Sequence, residues 1–182
     1  MEREDFVTQG RLQALGRALL FLVLFLLLVL AGGFLVPGVV ETDLPAGDGL
    51  PLAMIGQFAL ALAAALTAAW VLRRFVERRA GAATGFPLTR DAPRDLAGGI
   101  LAGAAAMALV IAAFSLAGAY DWAREGGSAM AWLGTFVASL AAFAIPAAAE
   151  EAVFRGYLLE SLSAAAGPAA AVAITSVLFA FV

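Results

Sequence analysis

The sequence predicts an all-α fold, a polytopic transmembrane helix bundle, on the basis of its composition and its hydropathy pattern. Hydrophobic residues make up 63% of the chain and charged residues 14%, whereas a soluble domain carries roughly 25% charged residues. The mean hydropathy is +0.95. Apolar runs of about 20 residues, the length that crosses a bilayer, alternate with short polar loops. We expect four complete spans, a helix that carries a glutamate pair, and the start of a further span.

Four apolar runs predict the complete spans. They cover residues 18–40, 52–72, 96–119 and 131–149. As helices with a rise of 1.5 Å per residue, they match a hydrocarbon core of roughly 30 Å. A cleaved signal peptide is an alternative for the first run. Its leading segment is long and partly acidic, however, and no A-x-A cleavage site follows the apolar core.

A fifth apolar run begins at Ala169, directly after Gly167 and Pro168. Pro168 suits the start of a helix, because the backbone N–H that proline lacks has no helical partner there. Residues 169–182 would form a helix of about 21 Å, which is too short to span the bilayer. We therefore expect a chain truncated at its C-terminus. The alternative is a natural short form whose last helix is half inserted.

Small residues in two spans suggest close helix packing. Gly99 and Gly103 form a GxxxG pattern in the third span, and the second span consists mainly of alanine and leucine. Small side chains allow helices to approach closely in lipid. An equally acceptable interpretation is that alanine and glycine are simply abundant in this chain.

The distribution of arginine predicts the orientation in the cell membrane. Three arginines lie in residues 1–17 and six in residues 73–95, whereas residues 41–51 hold none and residues 120–130 hold one. The positive-inside rule makes residues 1–17 a cytoplasmic N-terminal arm. It also makes 73–95 an arginine-rich cytoplasmic loop within the membrane region 18–130, in contact with anionic lipid. The glutamate pair that follows the fourth span then lies near the cytoplasmic leaflet.

The stretch AAAEEAVFRGYLLESL places charges between two apolar runs. Glu151 and Arg155 are four residues apart and form a favourable helical pair, whereas Glu150 is rotated by about 100° and faces Phe154. An unpaired carboxylate in an apolar cavity suits a general base, and charges at membrane depth indicate function. The alternative is an ion pair that anchors the end of a span. Tyr157 is expected in an interfacial aromatic belt, with a place in the lining of the cavity as the alternative.

Missing residue types exclude several classes of site and partner. The chain has no cysteine and no histidine, which excludes disulfides, Cys/His zinc sites and histidine catalysis within these residues. One or two carboxylates without histidine make a poor zinc site, so metal dependence is doubtful and no cofactor is expected. The charges lie at the ends of spans and form no extended basic surface, which excludes nucleic acid as a partner.

Two segments carry a family resemblance. EEAVFRG begins at Glu150, and FAFV begins at Phe179, about thirty residues later. They resemble EExxxR and FxxxH, the first two motifs of the CAAX protease and bacteriocin-processing (CPBP) family of intramembrane endopeptidases, which includes enzymes of the type II CAAX prenyl endopeptidase kind. The second motif stops one residue before its histidine. Residues 131–182 are therefore interpreted as a partial peptidase core.

The resemblance implies a glutamate-type membrane endopeptidase that acts on a peptide or a membrane protein. It implies that Glu150 activates the attacking water and that Glu151 with Arg155 supports and orients it. It also implies a histidine from FxxxH and a later HxxxN or HxxxD pair, and none of these groups occurs in the sequence. We therefore expect the chain as given to be inactive. Its oligomeric state is left open.

Two other functions remain as alternatives. The first is a non-catalytic membrane scaffold or immunity protein that keeps the fold and lacks the chemistry. The second is a transport component that uses Glu150 and Glu151 as a proton or cation site, although the spans show no inverted repeat that would favour it.

Overall fold

The computed structural model describes residues 2–35, 52–78, 90–119 and 126–181. These residues are helical with short connections and contain no strand, which confirms the predicted all-α fold. Among the described residues, four helices are long and apolar enough to cross a membrane, and they cover Gln9–Leu35, Met54–Val76, Ala92–Leu116 and Ala129–Ala166. The predicted number of complete spans is therefore confirmed.

Six α-helices and two π-helical turns make up the described residues. The α-helices are α1 (Glu2–Leu35), α2 (Leu52–Val71), α3 (Ala92–Leu116), α4 (Ala129–Glu150), α5 (Leu158–Ala166) and α6 (Pro168–Phe179). One π-helical turn, Leu72–Val76, continues α2, and the other, Glu151–Tyr157, connects α4 to α5. The EExxxR segment therefore directly follows the fourth span, and the backbone is kinked at Gly156, before α5 begins.

Several helices extend beyond the apolar runs that predict them. α1 begins at Glu2, so most of the polar arm is helical, and Arg73 and Arg74 lie in the π-helical turn at the end of the second span. α3 begins at Ala92 and includes Arg94 in its first turn. Polar residues can continue a helix past the membrane, because the backbone hydrogen bonds do not depend on the surroundings. Residues 36–51, 79–89, 120–125 and 182 lie outside the described residues.

The chain divides into two compact units, residues 1–86 with 135–182 and residues 87–134. In the first unit, α1 turns one face inward through Ala14, Ala18 and Phe21, at the three- and four-residue spacing of an amphipathic helix. This face packs against α2 and α5. α2 meets it with a stripe of buried alanines followed by a leucine, namely Ala64, Ala65, Ala68, Ala69 and Leu72. The expected close packing through small residues is present in this span.

The second unit contains α3 and the first residues of α4. No residue of α3 is buried, and a Cβ added at Gly99 or Gly103 would meet nothing within 4 Å among the described residues. Close helix packing through the GxxxG pattern stays a prediction. Ser128 caps the start of α4, where its Oγ accepts a hydrogen bond from the Ala131 backbone N–H at 3.2 Å.

α5 and α6 are joined by one residue, Gly167, with φ 89° and ψ 161°. Only glycine adopts this conformation readily, because it lacks a Cβ. Pro168 is the first residue of α6, as its position after Gly167 predicts. The sharp connection packs α6 against α5 and brings it alongside the π-helical turn that carries the EExxxR motif.

Candidate active site in the EExxxR segment

The π-helical turn Glu151–Tyr157 carries most of the first motif. Pro146 lies inside α4, four residues before Glu150, and its ring removes one backbone hydrogen bond from the helix. Further along, the backbone leaves helical geometry at Gly156, with φ −83° and ψ −124°. π-Helical turns are rare in proteins as a whole, and many of those that do occur lie at functional sites. The turn therefore singles out this stretch of the fourth span on geometric grounds.

A cavity of about 270 Å³ lies between this segment and α6. Its lining consists of Glu150, Glu151, Phe154, Arg155, Thr175, Ser176 and Phe179. The three charged residues of EExxxR and the first residue of the partial FxxxH motif therefore border one pocket. On an ideal α-helix the two glutamates would point about 100° apart, and here both border the same space.

The two glutamates differ in their partners. Arg155 donates a hydrogen bond from Nη1 to Glu151 Oε1, which forms the ion pair that their spacing predicts. Both side chains are well exposed, 43% for Glu151 and 70% for Arg155, so the pair contributes little to stability. It places the guanidinium beside Glu151 at the pocket instead. Glu150 is half-buried, and its side chain makes no hydrogen bond or ion pair with any other described residue.

The aromatic residues of the two motifs are in contact. The rings of Phe154 and Phe179 lie edge to face, with centroids 5.4 Å apart and planes at 90°. Aromatic pairs prefer this arrangement, because the positive edge of one ring meets the negative face of the other. The contact joins the EExxxR turn to α6 and forms one wall of the pocket.

Two hydroxyl residues of the pocket, Thr175 and Ser176, were not predicted from the sequence. Thr175 is buried, and its Oγ1 donates within α6 to the carbonyl oxygens of Ala171 at 3.0 Å and Val172 at 3.2 Å. Ser176 is exposed at the pocket. Their polarity could have indicated them, because they are the two polar residues of the apolar run 169–182.

A second polar cluster surrounds Tyr157, and the sequence did not predict it either. Glu77 Oε1 accepts hydrogen bonds from Tyr157 Oη at 2.9 Å and from Arg17 Nη1 at 3.3 Å. Arg73 Nη2 donates to Glu160 Oε2 at 2.5 Å. These five residues come from α1, the end of α2, the π-helical turn and α5. No local pattern could identify the cluster, because its partners are 60 to 87 residues apart in sequence.

Tyr157 is the centre of this cluster and does not lie in an interfacial belt. It is 1% exposed, and the expectation of a belt position was wrong. Its ring stacks on Phe21 with centroids 5.4 Å apart, and the guanidinium of Arg73 lies 5.5 Å from the ring centroid. The hydroxyl has a carboxylate partner, and this hydrogen bond makes the burial possible.

The described residues contain no group of three or more His, Cys, Asp or Glu side chains that could hold a metal ion. The pocket has two carboxylates, a guanidinium and two hydroxyls. This donor set can hold a water, accept its proton and donate hydrogen bonds to an oxygen that becomes negative. The expectation that no metal or cofactor is needed stays a prediction.

The fold and the pocket together define a class: a polytopic helical membrane protein with a carboxylate pair at a wide helical turn. Residues 131–182 match a family model described as Type II CAAX prenyl endopeptidase Rce1-like. The match confirms the resemblance inferred from the two motifs. It covers every residue of the pocket and less than a third of the chain. This family implies a membrane endopeptidase. No curated protein and no solved structure matches the chain significantly.

Proposed function

We propose that this protein is an intramembrane endopeptidase in which Glu150 activates the water that attacks the scissile peptide bond. The observation that carries the proposal is the pocket itself. It gathers both carboxylates of EExxxR, Arg155 and Phe179 around one cavity, and it lies wholly within the residues that match the endopeptidase family.

The chemistry assigns different roles to the two glutamates. Glu150, which has no partner among the described side chains, accepts a proton from water as the oxygen attacks the carbonyl carbon. The carbonyl oxygen becomes negative, and Arg155, oriented by Glu151, donates a hydrogen bond to it, with Ser176 as a second donor. The tetrahedral intermediate then breaks its C–N bond, and Glu150 returns the proton to the leaving amine. No cofactor enters this scheme.

The proposed substrate is a peptide or a membrane protein, cleaved near the cytoplasmic leaflet of the cell membrane. The arginine distribution supports this placement. Arg17 and Arg73 belong to the arginine-bearing ends of the first two spans, and they lie against the cluster formed by Glu77, Tyr157 and Glu160. The end of the EExxxR turn is therefore level with the arginine-bearing ends of α1 and α2.

Because the chain as given has no histidine and is expected to be inactive, the test is Glu150→Gln in a chain that also carries the histidine motifs which the resemblance implies, purified and reconstituted in liposomes with an internally quenched peptide substrate. The variant keeps the shape of the side chain and removes its basicity, so hydrolysis should fall by about 100-fold or more. Asp95→Asn, in the first turn of α3, is the matched control and should retain full activity. Full activity in Glu150→Gln would contradict the proposal and favour a non-catalytic scaffold. Proton flux that depends on Glu150, in the absence of hydrolysis, would favour a transport component.

A further inference from the structure

The first two spans touch the EExxxR segment through a buried carboxylate. Glu77, directly after the π-helical turn Leu72–Val76 that continues α2, has a side chain only 7% exposed. One of its oxygens, Oε1, accepts both the Tyr157 hydroxyl and Arg17, whereas Oε2 has no hydrogen-bond partner among the described residues. The residues that match the endopeptidase family do not include α1 or α2. The contact therefore links a region with no assigned role to the candidate active site.

Stability alone is a weak explanation for this carboxylate. Burying a charge has a high desolvation cost, and a buried ion pair is often no more stabilising than apolar residues of the same volume. The incomplete set of partners at Glu77 and at the Nε atoms of Arg17 and Arg73 raises that cost further. Buried ionic groups of this kind are retained in some proteins because they select one arrangement of the chain. The arrangement selected here is that of Tyr157.

Tyr157 is the last residue of the wide turn and follows Gly156, where the backbone is not helical. Its ring is held by Phe21 and Arg73, and its hydroxyl by Glu77. A wide turn is less regular than the α-helix it interrupts, so the chain needs a reason to keep it. Fixing Tyr157 fixes the end of the turn. The glutamate pair lies at its start, where Glu150 is the last residue of α4 and Glu151 is the first residue of the turn.

We propose that Glu77 is a positioning residue which, through the Tyr157 hydroxyl, holds the turn 151–157 in the geometry that brings both glutamates to one pocket. The consequence for hydrolysis rests on the proposed function, whereas the consequence for the shape of the turn does not. Glu77 touches neither water nor substrate in this role. The first two spans then support the site through this contact and do not line the pocket.

The experiment compares variants that separate the hydrogen bond from packing. Tyr157→Phe keeps the ring and removes the hydroxyl. Glu77→Leu removes the acceptor, and Glu77→Gln keeps an acceptor without the charge. Leu28→Ala is the control, because it removes packing from the same core, eleven residues beyond Arg17 on α1. Amide hydrogen exchange in nanodiscs measures the exchange rate of the turn 151–157 relative to that of α6 in the chain as given. Peptide hydrolysis by the chain that carries the histidine motifs gives kcat and KM.

We expect Tyr157→Phe and Glu77→Leu to speed exchange in the turn by about tenfold relative to α6, the effect of losing a hydrogen bond to a charged group. Glu77→Gln should restore most of the protection, and Leu28→Ala should leave the ratio unchanged. Tyr157→Phe and Glu77→Leu should also lower kcat by about tenfold, with KM within about twofold of the wild type. An unchanged exchange ratio in Tyr157→Phe, or an equal change in Leu28→Ala, would overturn the positioning role.

The two proposals fail in different ways. If the wild type and Glu150→Gln hydrolyse peptide equally, the proposed function fails, and the exchange ratio alone decides the role of Glu77. If Glu150→Gln is inactive while Tyr157→Phe keeps the wild-type kcat, the proposed function holds and the positioning role is wrong.

Discussion

At the scale of single residues, the pocket combines one ion pair, Glu151 with Arg155, and one carboxylate, Glu150, whose side chain has no partner among the described residues. A separation of four residues brings Glu151 to Arg155 on any helical turn, and the structure contains that pair. The convergence of both carboxylates on one cavity was not predictable. It depends on the wide turn and on α6. Neither the EExxxR motif nor a helical wheel drawn for it predicts these two elements.

The edge-to-face pair of Phe154 and Phe179 gives a prediction at this scale. Phe179→Ala should destabilise the protein by about 1 kcal/mol more than a control substitution, because an aromatic pair contributes on that order beyond its buried area. Phe181→Ala is the control, since Phe181 is 86% exposed and has no ring contact with a described residue. Thermal unfolding in detergent micelles measures both variants. Equal losses would show that the ring contact adds nothing.

At the scale of elements, the apolar runs identified the spans because membrane insertion depends on local length and hydropathy. The ends of the helices were less predictable. Capping and helix continuation depend on polar residues that the hydropathy pattern ignores, as at Glu2 and Ala92. Small residues were ambiguous in the same way. Alanines in α2 are buried against a neighbour, whereas Gly99 and Gly103 have open space around them. A small residue permits a close contact and does not specify the partner.

The single-residue connection between α5 and α6 gives a prediction for these elements. Gly167→Ala should destabilise the protein by about 1–3 kcal/mol, because the new Cβ must adopt a conformation that is almost confined to glycine. Gly134→Ala, inside α4 with no atom within 4 Å of an added Cβ, is the control and should be neutral or slightly stabilising. Chemical unfolding in micelles compares the two variants. A neutral Gly167→Ala would mean that the connection relaxes without strain.

At the scale of the whole molecule, the orientation in the membrane is open to a direct test, because the chain has no native cysteine. The proposed topology puts Arg78 on the cytoplasmic side and Gly126 on the opposite side. In intact cells, Gly126→Cys should react with a membrane-impermeant maleimide, and Arg78→Cys should react only after the membrane is permeabilised. The reverse pattern would place the glutamate pair at the outer leaflet.

The placement of Glu150 in a pocket between two helices sets a condition on any helical substrate. In an α-helix each peptide carbonyl oxygen accepts a hydrogen bond from the N–H four residues further on, and side chains surround the backbone. Under the proposed function, a membrane-spanning substrate therefore has to unwind before its peptide bond can meet the carboxylates. The residues that weaken a substrate helix, glycine and proline above all, would then select the cleavage site more strongly than the side chains beside the bond.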